Sequence, residues 1–261
     1  MQVYFFTFVL LKKLIPFDQD ISNIPLPNAF NDPFIVQDKQ HPLVTIAVTQ
    51  LQQHLTTQTE WQHNFGLEGK NEDTTLKPIG KMFGVLVVQT ANKELGYLAA
   101  FSGKLASQNH HSYFVPPVFD SLSEDTFLNR GMRALKIIQD EIKQLELAGC
   151  KATQQLIMLK EKRKAHSQGL QSQLFAAYKF SNAAGELRTP KDLFATPPAG
   201  AGECAAPKLL QYAYQQNLTP LAIAEFWWGA PPSSAISTRS HRAYYPACED
   251  KCSRVLGWML G

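Results

Sequence analysis

Three of the four cysteines in this 261-residue chain stand where helices are expected to begin. Cys204 follows the loop Pro197-Pro-Ala-Gly-Ala-Gly-Glu203 and precedes a helical run over 205–216. Cys248 and Cys252 flank a second helix start, after Tyr244-Tyr-Pro-Ala247. The first N–H groups of a helix lack intrahelical partners, and with the helix dipole they favour a thiolate. Thiolates at tetrahedral spacing are ligands for Zn²⁺, with sulfur at about 2.3 Å. A strand expected over 221–228 returns the second helix beside the first, which makes the three sulfurs neighbours. Water, His241 or Glu203 would complete the ligand set. The competing reading is three small thiols packed without a metal. Zinc is the one cofactor these residues nominate, and none is assured.

This order of parts is similar to the zinc nucleobase-deaminase signature, H-x-E followed by P-C-x-x-C. Two departures count against active chemistry. The paired cysteines are spaced Cys248-Glu-Asp-Lys-Cys252, and Ala206 stands where the catalytic Glu belongs. Gly200-Ala-Gly-Glu-Cys-Ala205 also spells a dinucleotide fingerprint, but that motif needs a strand before the first glycine. Ala195-Thr-Pro-Pro-Ala199 cannot supply one. Phe226-Trp-Trp228 offers aromatic surface for base stacking, and Trp228 is the candidate. Adjacent strand residues face opposite ways, so only one of the two tryptophans joins a given platform. Lys160, Lys162, Arg163 and Lys164 form a basic cluster on an expected helix, suited to RNA phosphates or to a solvated helix face. His110-His111 reads as surface, and neither a nucleophile elbow nor a Walker loop is present.

The elements that must position these groups follow from hydrophobic spacing. Met82–Val88 and Leu95–Phe101 read as a hairpin turning at Ala91-Asn92, apolar enough to be covered on both faces. Apolar residues over 43–55 have helical spacing. Leu135, Ile138, Ile142 and Leu145 place a helix over 122–147, ended by Gly149, and a second helical run covers 151–178. These two make an antiparallel arm. The fold expected is α+β: a small, mainly antiparallel sheet with packed helices and an inserted antiparallel helical arm. Its parts are an apolar leader or first strand over 1–14, a first part of the domain over 15–120, the arm over 121–180, and a second part over 181–261 that carries the cysteines. The Pro-punctuated stretch 16–42 reads as an extended segment laid over the core.

Composition bounds the function classes. With 44% hydrophobic residues, 18% charged and 28 aromatic rings, the chain is ordinary globular material rather than a disordered one. Its formal net charge of +3 permits nucleic-acid binding without demanding it. That charge resides entirely in 122–175, where nine basic residues meet six acidic ones. No apolar run reaches the roughly 18 residues of a spanning helix, so no membrane partner is expected. The run Val3–Leu11 lacks preceding positive charges and a small-residue cleavage site, so a reduced, cytoplasmic setting is expected.

A resemblance adds to this reading. Asp20-Ile-Ser22, Leu51-Gln-Gln-His-Leu55, Trp61-Gln-His-Asn-Phe-Gly66, Gly80-Lys-Met-Phe-Gly-Val-Leu-Val-Val88 and Gly96-Tyr-Leu-Ala-Ala-Phe-Ser-Gly-Lys104 resemble the amino-terminal extension of long bacterial RluA-type RNA pseudouridine synthases. So do Phe114-Val-Pro-Pro-Val-Phe-Asp120, Pro197-Pro-Ala-Gly-Ala-Gly-Glu-Cys-Ala-Ala-Pro-Lys208, Ala224-Glu-Phe-Trp-Trp-Gly229 and Tyr245-Pro-Ala-Cys248. The resemblance runs from about Pro16 onward. It implies an accessory region that positions ribosomal or transfer RNA for a downstream synthase catalytic domain. That domain carries an H-R-L-D motif, whereas His241-Arg242 here is followed by Ala243-Tyr244. No catalytic residue is therefore carried over, and the chain alone is expected to be inactive. Two alternatives stand beside this one: a zinc-dependent deaminase-like domain, active or decayed, and a purely structural or dimerisation module.

Overall fold

A computed structural model describes residues 13–67, 77–123, 126–149, 153–232 and 239–261. The leader or first strand expected over 1–14 lies almost wholly outside them. Ile15, just after it, forms an isolated antiparallel bridge with Tyr97. The described residues fall into two units. The first comprises Met1–Val118, Phe180–Arg188 and Pro198–Gly261; the second comprises Phe119–Lys179 and Thr189–Pro197. The stretch 189–197, expected in the second part of the domain, belongs with the arm.

The first unit is built on the expected hairpin. Strands β1 (Lys81–Gln89) and β2 (Leu95–Phe101) pair antiparallel in the register Phe83↔Phe101 through Gln89↔Leu95. Strand β5 (Thr219–Trp228) pairs antiparallel with the other side of β1, and the two-residue β6 (Tyr244–Tyr245) pairs with β5, giving the order β2-β1-β5-β6. A separate small ribbon joins β3 (Phe180–Ser181) to β4 (Leu187–Arg188). The architecture is α+β with a small antiparallel sheet.

Strand parity divides the sheet into two faces. Phe83, Val85, Val87, Tyr97, Ala99, Phe101, Phe226 and Trp228 point to one face and pack on helix α1 (Pro42–Thr57) through Leu43, Val44, Ala47, Leu51 and Leu55. The opposite face takes helix α5 (Ala205–Gln215), whose residues 205–213 are all buried, and helix α6 (Glu249–Leu260) packs on α5. Close approach of α5 rests on Gly84. A Cβ there would meet Ala205 Cβ at 3.0 Å and Leu209 Cδ1 at 3.2 Å.

The extended segment after Pro16 guards the edge of β5. The Asn31 side chain mimics a strand partner, donating to Ile223 O at 2.9 Å and accepting from Ile223 N–H at 2.8 Å. Two residues on, Pro33 O accepts from Ala247 N–H at 2.8 Å, tying this segment to the approach of α6.

The second unit pairs helices α2 (Phe127–Leu147) and α3 (Gln154–Ala177), with the one-turn α4 (Pro190–Leu193) beside them. Threonine caps both long helices, Thr126 accepting from Asn129 N–H and Thr153 from Leu156 N–H, each at 3.3 Å. Ile138, Ile142 and Leu156 form its small core, flanked by Leu145 and Leu159. Gly131 lets α3 come close, since a Cβ there would overlap the Leu170 side chain. Among the described residues, no helix is long and apolar enough to cross a membrane.

Candidate functional site

Helix α5 begins at Ala205 because Cys204 takes an extended conformation, φ −69° and ψ 164°, and its side chain makes no capping bond. Glu225 supplies the acceptor instead. It reaches from β5 on the α5 side of the sheet, and its Oε1 accepts from Ala206 N–H at 3.1 Å. Helix α6 repeats the arrangement: Cys248 is its extended N-cap, again without a capping bond, and Cys252 N–H donates to Cys248 O at 3.1 Å. Helix α6 packs on α5, and neither helix is capped by the side chain of its own N-cap residue.

The three expected thiols meet there. Cys204, Cys248 and Cys252 hydrogen-bond one another; Cys252 is fully buried and the other two are half-buried. Bonds from Cys204 and then Cys252 hold Cys248 far below the usual thiol range, and the N–H groups of Lys251 and Asp250 add to this. Donation to Cys248 and to Cys252, reinforced by burial, pushes Cys204 up. Cys204 pulls Cys252 down, but the bond to Cys248 and burial outweigh it and leave Cys252 raised.

Two buried ionisable groups flank the thiols, and the sequence reading missed both. Glu225 is 5% exposed, and burial raises its carboxyl to about 7, opposed by the Ala206 N–H bond. Its charge acts on Cys204, and that of Cys248 acts on it. Lys208 is 4% exposed; its Nζ donates to Phe101 O at 2.8 Å and to Gly103 O at 3.1 Å. Burial lowers Lys208 to about 8, while Glu203 and Cys204 oppose that loss of charge. A lone acid in the apolar run 221–228 was the available signal for Glu225. Lys208 carried none, because its burial depends on the distant end of β2.

Of the fourth ligands considered, His241 is engaged elsewhere. Its Nδ1 accepts from Gly229 N–H at 3.0 Å and its ring lies 4.4 Å from that of Trp228. Glu203 acts on Lys81 and Lys208. Among the described residues, no group of three or more His, Cys, Asp or Glu side chains, Cys204, Cys248 and Cys252 included, could hold a metal ion. The thiols satisfy one another instead. The cavity next to Glu225, lined also by Asn31, Ala206, Tyr244 and Tyr245, is about 20 Å³. That is room for about one water and none for a base.

The expected RNA contacts divide. Lys160, Lys162, Arg163 and Lys164 are all exposed on α3. Lys160, Arg163 and Lys164 share one side at i, i+3, i+4 spacing, while Lys162 faces away. Lys160 also pairs with Glu146 at 2.8 Å, a bond between the two helices of the arm. Trp228 is corrected: it is 1% exposed, because its face of β5 is the one that packs with Phe226 in the core, and it cannot stack on a base. The reading of His110-His111 as surface fails for His111. That residue is 8% exposed, with Nε2 at 2.9 Å from Leu105 O and its ring against Trp61 and Phe101.

Comparisons of the chain with protein-family models, with curated proteins and with solved structures found no match.

Proposed function

We propose that this chain is the accessory, RNA-positioning region of an RluA-type pseudouridine synthase acting in the cytoplasm, without the catalytic aspartate domain. The observation that carries the reading is the exposed basic side of α3 at Lys160, Arg163 and Lys164, on a helical pair that is a unit of its own. Three cations spaced along one side of a helix suit a run of phosphates, a contact that positions RNA without reading its sequence. The segments that carry the family resemblance supply the other unit's central strands and the start of α5, so they describe a folded scaffold for such an arm. The partners are structured ribosomal or transfer RNA and the synthase catalytic domain.

The test is RNA binding by the purified chain, with ultraviolet crosslinking to map the contact. Crosslinks concentrated in 154–177 and no conversion of uridine to pseudouridine are expected. Absence of RNA binding at low salt, or isomerisation by this chain alone, would overturn the reading.

A second reading, a decayed zinc-dependent deaminase-like domain, is favoured by one observation: thiols meet at two helix starts that flank a central strand. Ala206, fully buried in α5, leaves no carboxylate in the proton-transfer position, and the cavity at Glu225 is too small for a base. Ammonia release from cytidine or adenosine nucleotides by the zinc-loaded chain would restore active chemistry; none is expected.

A further inference from the structure

We propose that the turn Arg239–Arg242 is a phosphate contact for single-stranded RNA on the unit that holds the sheet, made by the guanidinium groups of Arg239 and Arg242. It rests on the reading of the chain as an RNA-positioning region and adds a second anchor to the one on the arm. The sequence sets this stretch apart: no acidic residue lies between Glu225 and Glu249, whereas Arg239, His241 and Arg242 do. Aromatic rings hold both arginines. The Arg239 guanidinium lies 5.2 Å from the centre of the Trp227 ring and 5.1 Å from that of Tyr245, and Arg242 lies 5.5 Å from that of Trp228. Each distance is within cation–π range. Stacking uses the flat face of a guanidinium and leaves its N–H edge for an acceptor. Among the described residues, that edge of Arg239 finds only the weak acceptor Met82 Sδ at 3.7 Å, and neither arginine pairs with a carboxylate.

The backbone of the turn is fixed in advance. Arg242 takes φ +67°, a conformation that residues other than glycine rarely adopt and that surrounding bonds must hold. Ala243 N–H donates to Ser240 O at 3.1 Å, Arg242 N–H to Trp227 O at 2.7 Å, and Trp227 N–H to Ala243 O at 3.0 Å. Ser240 N–H donates to the Tyr245 hydroxyl at 2.6 Å, and Gly229 N–H to His241 Nδ1 at 3.0 Å. Arg242 is exposed and Arg239 half-buried, so both can be reached from solvent on a frame that is already ordered. Less side-chain and loop freedom is then lost on binding. Phosphate is the group this selects. Trp227 is 9% exposed and Trp228 1%, so these rings serve the arginines rather than a base. A guanidinium edge pairs with two oxygens of one phosphate at once.

The test uses the full chain and an oligouridylate. Replacing Arg239 and Arg242 together by Gln should lower the slope of log K against log salt by about 0.7 for each phosphate no longer neutralised. The same drop should appear in the chain whose Lys160, Lys162, Arg163 and Lys164 are already Gln, because the two anchors are separate. Replacing both arginines by Lys keeps the charge and should keep the slope. On the unaltered chain, the oligouridylate should slow modification of Arg239 and Arg242 by phenylglyoxal, mapped by mass spectrometry. Arg188, which lies 4.0 Å over the Trp258 ring, should react unchanged. That readout needs no variant to fold. A salt slope indifferent to the two Gln replacements, or no protection of either arginine, would overturn the contact at the turn. The RNA-positioning reading would outlast that result if the arm replacements still lowered the slope. Protection by polyglutamate and not by oligouridylate would overturn RNA as the partner of the turn, and absence of RNA binding would overturn both.

Discussion

At the scale of single residues, one buried and one half-buried histidine give the fold a pH dependence whose sign is fixed. His54 stacks on Tyr113 at 3.7 Å, and its Nε2 has no hydrogen-bond partner; His111 sits between Trp61 and Phe101. Burial lowers both below the usual 6.5, with nearby Glu60 opposing. Because the unfolded chain takes up protons first, this stability is fully present above about 6.5 and is lost as the pH falls through the lowered native values. Melting temperature should therefore fall from pH 7 toward pH 5. His54→Phe, which keeps the stack and removes the titration, should flatten that fall, and an unchanged slope would assign it to other groups. The same scale shows why Trp228 misled the sequence reading. Parity ties it to Phe226, but helices cover both sides of the sheet, so no outer face existed for parity to identify.

Between residue and molecule stand the elements, and here backbone spacing sets the cost of change. Gly229 ends β5 with φ +107°, and a Cβ there would come within 2.5 Å of Phe65 O and 2.9 Å of Gly80 Cα. Gly229→Ala meets backbone on both sides, and it should cost about 1–3 kcal/mol, measured by denaturant unfolding. Gly84→Val should cost about 1–3 kcal/mol by overpacking. It should also displace the start of α5 and so perturb alkylation of Cys204, which a purely local effect would leave alone. The hairpin β1–β2 was legible because a continuous apolar run between turn residues has few other uses. The helix starts at Cys204 and Cys248 were legible from Pro and Gly punctuation. The place of β5 between β1 and β6 was not, since strand order is set by long-range pairing, and neither was Asn31 acting as a strand edge.

For the whole molecule, the division into two units sets unequal stability. The arm buries Ile138, Ile142 and Leu156 with Leu145 and Leu159 beside them, whereas the sheet buries apolar side chains on both faces. A thin apolar core means low-energy local opening. Amide exchange in 127–177 should therefore be faster than in β1, β2 and β5, and limited proteolysis should cut the arm first; equal protection would contradict the two-unit description. The arm as a helical pair was readable from its 3,4,3 apolar spacing. That 189–197 joins it was not, because those residues return from the β3–β4 ribbon without a periodic signal. On the proposed reading of the arm as an RNA-positioning element, affinity comes from charge on its exposed basic side. The salt dependence of RNA binding tests this most directly. For the unaltered chain on single-stranded RNA, log K should fall linearly with log salt. Replacing Lys160, Lys162, Arg163 and Lys164 by Gln should reduce that slope by about 0.7 for each phosphate no longer neutralised. A slope unchanged by the four replacements would contradict a positioning role for the arm.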